Sequence, residues 1–356
     1  STPCLNGIAH CEGIYLVDAQ GRRFMDFHGN SAHQVGYAHP DVLAAIRRQL
    51  DHLSFCPRRY TNRTAVALAE KLASLAPGDL GKVLLAPGGA EAIGIALKLV
   101  RYATRRYKTI SMWGSFHGAS LDAISIGGEA LFRDGVGPLL PGCFHVPAPR
   151  TEDGLDDAVG HIERLLEREG DIAAVIAEPM RCTTDQRPPD GYWPRIRKLC
   201  DDHGALLVFD EIPLALGRTG RMFCCEHFGI QPDIVVLGKG LGGGVMPIAA
   251  VVADRRLDVV PDRAIGHYTQ EKSTLGAAAA LATIEVIERD DLLATSCQLA
   301  DRGLARLQQL RETCPLAADV RGLGLCLGVE LRRGDRKAVD EAEQVMYGCL
   351  ADGLSF

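Results

Sequence analysis

Lys239 closes the apolar run Ile234-Val235-Val236-Leu237 and stands among five glycines in DIVVLGKGLGGG (233–244). A charge at the end of a strand buried on both faces is expensive to desolvate. Either this amine reaches the surface, or the site uses an amine that burial tunes. Asp210 occupies the same kind of place at the end of VFDEI (208–212), 29 positions earlier, and Glu178 does so in IAEPM (176–180). Gly88, Gly89 and Ala90, in APGGAEA (86–92), follow an apolar run and open a helical pattern. Glycines there let a backbone approach an anion, and a helix N-terminus offers free N–H groups and a positive dipole end. A plain strand-to-helix turn has the same residues. SFHG (115–118) sets Phe116 beside His117 in a loop. Alone, each has an ordinary structural reading as a cap or as packing. Together they supply an amine that condenses with a carbonyl, a carboxylate for a protonated ring nitrogen, an aromatic to stack on a ring and a turn for a phosphate. That is the set a pyridoxal phosphate site requires.

Other chemistries lack their residues. GKGLGGG meets GxGxxG spacing but follows a late strand and does not open the first βαβ unit, RGLGLCLG (321–328) lacks that spacing, and no GxxxxGK[ST] or GxSxG occurs. No metal-ligand spacing is present, so no metal is expected. The net charge of −6 without a basic block argues against a nucleic-acid partner. No apolar run has the ~18–20 residues of a membrane span, and the first residues show no signal-peptide pattern. The twelve cysteines are scattered without a CxxC pair, which predicts reduced, mostly buried thiols in a cytoplasmic protein.

The elements that would carry these residues alternate. Apolar runs at 82–87, 109–113, 173–179, 205–211, 234–239 and 248–253 are separated by helical patterns at 90–104, 154–170 and 193–204. Alternation with buried strands predicts a mostly parallel sheet covered on both faces, with ligands at its strand ends. Only the link from Lys239 to Ile248 is too short for a helical crossover, so the last strand is expected antiparallel to its predecessor. Before the sheet lie a hairpin around DAQG (18–21) and helices at 39–53 and 64–77. After it come helices at 275–293, 293–313 and 340–350 and a strand at 324–331. With 356 residues the chain is long for one core. It is expected to divide into an N-terminal segment (1–63), a large domain (64–274) and a smaller α+β domain (275–356).

These residues resemble the class III, ω-aminotransferase-like group of fold-type I pyridoxal phosphate enzymes. The resemblance runs along nearly the whole chain, through DAQGRRFMDF…GYAHP, GGAEAIGIALKLVR, SFHG, AEP, LCDDHGALLVFDEI…GRTGRMF, PDIVVLGKGLGGG and VRGLGLCLGVEL. It implies a large domain with a mostly parallel seven-stranded sheet, plus a small α+β domain built from both chain ends. By the same resemblance Lys239 would form the Schiff base and move the substrate proton, and Asp210 would pair with the pyridine nitrogen. Phe116 would stack on the ring, with His117 and Ile212 beside it. Gly88, Gly89 and Ala90 would hold the phosphate, and Glu178 would lie near the substrate. Thr269, in GHYTQEKS, would reach the phosphate of a neighbouring subunit, implying a homodimer with shared sites.

There are departures. Ala90 stands where the family often has Ser or Thr, Pro213 stands where a glutamine is common, and MRCTTDQRPP (180–189) replaces a glycine-rich stretch. The expected reaction is transfer of an amino group from a small primary amine to a keto acid. The alternative is loss of ammonia from a small anionic amino alcohol, because HGNSAHQVGYAHP (28–40) with PRRYTN (57–62) resembles an ammonia-lyase subgroup. Arg58 and Arg59 are candidates for an anionic head group, and His28, Asn30 and His33 for the entrance.

Overall fold

A computed structural model describes residues 6–149 and 151–356. The chain opens with three strands, β1 (Ile8–Glu12), β2 (Tyr15–Asp18) and β3 (Arg23–Asp26), paired antiparallel in order. The DAQG turn between β2 and β3 forms because the Asp18 carboxylate accepts the Gln20 and Arg22 N–H groups at 3.0 and 2.9 Å. Helices α1 (Pro40–His52) and α2 (Arg63–Leu75) follow. Pro40 suits the first turn of α1, and Asn62 caps α2 by accepting the Ala65 N–H at 2.8 Å.

The central part runs β4 (Leu80–Ala86), α3 (Gly89–Thr104), β5 (Lys108–Met112), α4 (Leu121–Ile126), α5 (Ala130–Arg133), β6 (Cys143–Val146), α6 (Leu155–Glu169), β7 (Ile172–Ala177), α7 (Tyr192–His203), β8 (Leu206–Asp210), β9 (Ile234–Leu237) and β10 (Ala249–Asp254). Its seven strands lie in the order β4-β10-β9-β8-β7-β5-β6, and only β10 runs antiparallel to its neighbours. The short link from Lys239 to Ile248 thus has the consequence its length implied. Alternate residues of β9 enter different cores: Ile234 and Val236 join α3, while Val235 and Leu237 join α2, α6 and α7. All four side chains are fully buried, each stabilising by roughly 1.5–3 kcal/mol.

Helices α8 (Thr274–Arg289) and α9 (Leu292–Thr313) come next, with α8 packed on α1 and α2. Then β11 (Ala317–Leu323), β12 (Cys326–Arg333) and β13 (Arg336–Lys337) form a separate antiparallel sheet, followed by α10 (Val339–Ala351) and β14 (Leu354–Ser355). β14 pairs parallel with β3, so the two ends of the chain share one sheet.

The strand expected at 324–331 begins at Cys326, because Gly324 is the left-handed turn residue (φ 58°) that joins it to β11. The sequence patterning missed β1, β6 and β11. β6 is a four-residue edge strand with only Val146 buried, so it lacks an apolar run. The eleven described cysteines are all free. No described helix is long and apolar enough to cross a membrane, and among the described residues no cluster of metal-ligating side chains occurs.

Candidate active site

Five strands of the central sheet end on the same edge, and each delivers a residue or a turn. β8 ends in Asp210, which is 2 % exposed. Its Oδ2 accepts from His117 Nδ1 at 2.8 Å and its Oδ1 accepts from the Ile212 N–H at 3.1 Å. A carboxylate only accepts, so the His117 proton sits on Nδ1. His117 is itself buried and comes from the loop after β5. In that loop the Phe116 N–H donates to Glu178 Oε1 at 3.2 Å, which ties the loop to the end of β7. Glu178 is further held by Arg181 (3.1 Å) and by the Cys182 N–H (3.0 Å). The Phe116 ring lies 4.5 Å from that of Phe132.

β4 ends at the Gly88–Gly89 turn, and no side chain caps the N-terminus of α3 there. A Cβ on Gly89 would stand 2.8 Å from Ile212 Cδ1, and one on Gly238 would stand 3.2 Å from Ile212 Cγ2. Ile212 therefore wedges between the start of α3 and the residue before Lys239, drawing β4, β8 and β9 together. A side chain at Gly89 would have to displace the Ile212 Cδ1 methyl.

Lys239 follows β9 in a short 3₁₀ turn, with φ of 45°. A non-glycine residue in the left-handed region stores strain, which is retained where the surrounding structure imposes it. Its side chain is exposed in the single chain, between buried Gly238 and Gly240. The desolvation problem posed by the sequence is thus resolved by geometry: β9 stays buried and the turn lifts the amine out of it.

The remaining sequence candidates come from loops outside the central sheet. Thr269 is exposed in the loop between β10 and α8. Arg58 is engaged with that same loop, 2.8 Å from His267 Nε2 and 3.9 Å from Glu271 Oε1. Arg59 is exposed. His28 and Asn30 are exposed in a turn at Gly29–Ser31 that packs on the Lys239 turn. A cleft lined by Trp113, Glu129, Arg181, Tyr192 and Trp193 meets the strand ends at Glu178 and along Met112–Ser115 after β5.

Sequence reasoning missed Arg181, which lies in the stretch that departs from the family pattern, and Glu211. Glu211 is fully buried beside Asp210 and accepts the Cys224 and Cys225 N–H groups at 2.5 and 2.8 Å. Burial pushes it up to about 7 from its usual 4.5, against the pull of those two donors. Two adjacent carboxylates closing an apolar strand were the available signal. A raised acid stabilises the fold fully below the unfolded value and loses that contribution as pH rises through the folded one. Glu211→Gln removes this titration. The stability gap between wild type and variant is therefore expected to narrow by about 2–3 kcal/mol from about pH 5 to about pH 7.5, read by calorimetric unfolding.

The strand ends together fit pyridoxal phosphate: a buried carboxylate, an uncapped sixteen-residue helix behind a glycine turn, a half-buried aromatic and a lone amine. The chain belongs to the class III aminotransferase family, whose model matches residues 2–355. It is 46 % identical to (R)-1-hydroxy-2-aminoethylphosphonate ammonia-lyase of Vibrio splendidus (strain 12B01), over all of this chain and 80 % of that protein. Among solved structures it superposes on a transaminase from the marine bacterium Virgibacillus (TM-score 0.93, 28 % identity, 99 % of this chain and 84 % of that one). It superposes equally on taurine:2-oxoglutarate aminotransferase from Bifidobacterium kashiwanohense in complex with PLP and glutamate (TM-score 0.93, 26 % identity, 99 % and 85 %). The fold is fold-type I, the cofactor is pyridoxal phosphate, and the protein is a class III aminotransferase-type enzyme of the transaminase and related-lyase group.

Proposed function

We propose that the enzyme acts on a small primary amine carrying an acidic head group and a hydroxyl on the neighbouring carbon, and releases ammonia from it. The observation that carries this is the 46 % identity spanning the whole chain, shared with an ammonia-lyase of such a substrate, against 28 % for the Virgibacillus transaminase. Amino-group transfer to a keto acid, the reaction of the family at large, is the second reading, supported by the transaminase structures. Both begin with the same proton.

The bound cofactor supplies an electron sink for the carbon that bears the amine. In this proposal Lys239 binds the cofactor covalently and its Nζ takes and returns the proton at that carbon. Asp210, held by His117, keeps a proton on the cofactor's ring nitrogen. Gly88, Gly89 and Ala90 hold the phosphate at the α3 N-terminus, Phe116 stacks on the ring, Ile212 supports its other side, and Glu178 faces the substrate. Net loss of ammonia from a 1,2-amino alcohol leaves a carbonyl compound, since the water that departs with the hydroxyl is returned on hydrolysis.

The same reading makes the enzyme a cytoplasmic homodimer in which Thr269 reaches the partner's cofactor phosphate. The exposure of Tyr60, Phe55, Leu53 and Thr269 in the single chain supports an interface there. It also divides the chain at 63/64 and 274/275 into the N-terminal segment, the large domain and the small domain.

The test is to incubate the loaded enzyme with 1-hydroxy-2-aminoethylphosphonate and no keto acid, and to assay ammonia. Continuous ammonia release is the expected result. A single turnover that stops until a keto acid is added would replace this reading with transamination.

A further inference from the structure

Arg181 stands three residues after Glu178 and closes a circuit of hydrogen bonds around Phe116. Its Nη1 donates to Glu178 Oε1 and its Nη2 to Glu129 Oε2, both at 3.1 Å. Glu178 Oε1 also accepts the Phe116 N–H at 3.2 Å, and its Oε2 accepts the Cys182 N–H at 3.0 Å. Glu129 returns to the same loop through its own N–H, which donates to the Ser115 carbonyl at 3.1 Å. It also begins α5, which carries Phe132, and the Phe132 ring lies 4.5 Å from that of Phe116. Arg181 therefore holds Phe116 twice: its backbone through Glu178, and its ring through Glu129 and Phe132.

The arginine is itself fixed. Arg181 and Gln186 exchange backbone hydrogen bonds at 3.0 and 3.1 Å, which closes the loop after β7. Arg321 of β11 donates its Nε–H to the Thr184 carbonyl in that loop at 2.8 Å. A planar guanidinium presents N–H groups in a rigid fork and so spans two carboxylates at once, where an ammonium is a single point charge. The Glu178 side chain is 5 % exposed and that of Arg181 17 %, so the pair escapes most of the screening that weakens surface ion pairs. A carboxylate has about four acceptor positions. Three are taken on Glu178, which leaves one on Oε2 for a substrate donor, set in place by the same clamp.

We propose that Arg181 is the positioning residue for the cofactor's ring: by clamping Glu178 and Glu129 it fixes Phe116 in the place where it stacks on that ring. The inference rests on the cofactor contact of Phe116 in the proposed function and deepens it. Arg181 acts through Phe116 and exchanges no proton with the substrate.

The experiment is a double-mutant cycle on cofactor affinity. Wild type, Arg181→Ala, Phe116→Leu and the double variant are each stripped of cofactor and titrated with pyridoxal phosphate by absorbance. Arg181→Ala is expected to weaken binding about tenfold, and Phe116→Leu by a similar factor. Because Arg181 acts through Phe116, the double variant should bind no more weakly than Phe116→Leu, where independent sites would give a loss of about 10²-fold. Arg181→Ala should also reduce the visible circular dichroism of the bound cofactor, which depends on a fixed setting of its ring.

Wild-type affinity or unchanged dichroism in Arg181→Ala, wild-type affinity in Phe116→Leu, or a double variant near the product of the two losses overturns the proposal. Should Arg181→Ala fail to fold, Arg181→Lys decides. A loss of about threefold that disappears in the Phe116→Leu background supports the clamp, and no loss, or the same loss in both backgrounds, overturns it. A wild-type chain that takes up no cofactor overturns instead the reading of the site itself, which absorbance shows before any variant is compared.

Discussion

Lys239→Ala loses at least about 10⁴-fold in kcat, the largest effect expected of any single substitution in this chain. Two contributions combine. A positioned general base is worth about 10²–10⁴ in rate, and the covalent anchoring of the cofactor is lost with the same amine. The flanking positions on its turn, Gly238 and Gly240, have no side chain to replace it. Borohydride reduction should fix the cofactor to the peptide containing Lys239 in wild type and to no peptide in the variant. The backbone supplies a control. Lys239 holds φ of 45°, a region costly for any residue with a Cβ and open to glycine. Lys239→Gly should therefore be as inactive as Lys239→Ala yet more stable by about 1 kcal/mol. Activity surviving in both variants would remove Lys239 from the chemistry.

Much of this site was legible because its residues interrupt strong patterns. Lys239, Asp210 and Glu178 each end an apolar run, where a charge is costly to desolvate unless it is paired. The sheet was legible for a related reason: strands buried on both faces read as continuous apolar runs, as β7, β8 and β9 do. β6 and β11 were not, since their burial is partial and leaves no continuous apolar run. The charge of Arg58 and Arg59 is visible in sequence, whereas the engagement of Arg58 with His267 and Glu271 is not.

Asp210→Asn is expected to lower kcat by about 10²–10³-fold while leaving the fold intact. The size follows from removing one preorganised charge from a water-excluded site, where such charges have their largest effect on rate. The substitution is nearly isosteric. Its amide oxygen can still accept the Ile212 N–H that now reaches Oδ1 at 3.1 Å, so the bend after β8 is kept. What changes is the other oxygen, which receives His117 Nδ1–H at 2.8 Å: an amide NH₂ placed there opposes a donor with a donor. His117 is 1 % exposed, and its other nitrogen reaches Ser111 Oγ only at 3.4 Å, so it has little alternative support. Part of the loss should therefore come from a displaced imidazole. His117→Ala measures that part alone and is expected to cost about tenfold, the remainder belonging to the charge. The readout that separates chemistry from binding is kcat at saturating cofactor, with cofactor affinity titrated by absorbance. If Asp210→Asn keeps full kcat once saturated, Asp210 serves only to place His117 and Ile212, and the proton on the cofactor's ring nitrogen must be held by another group.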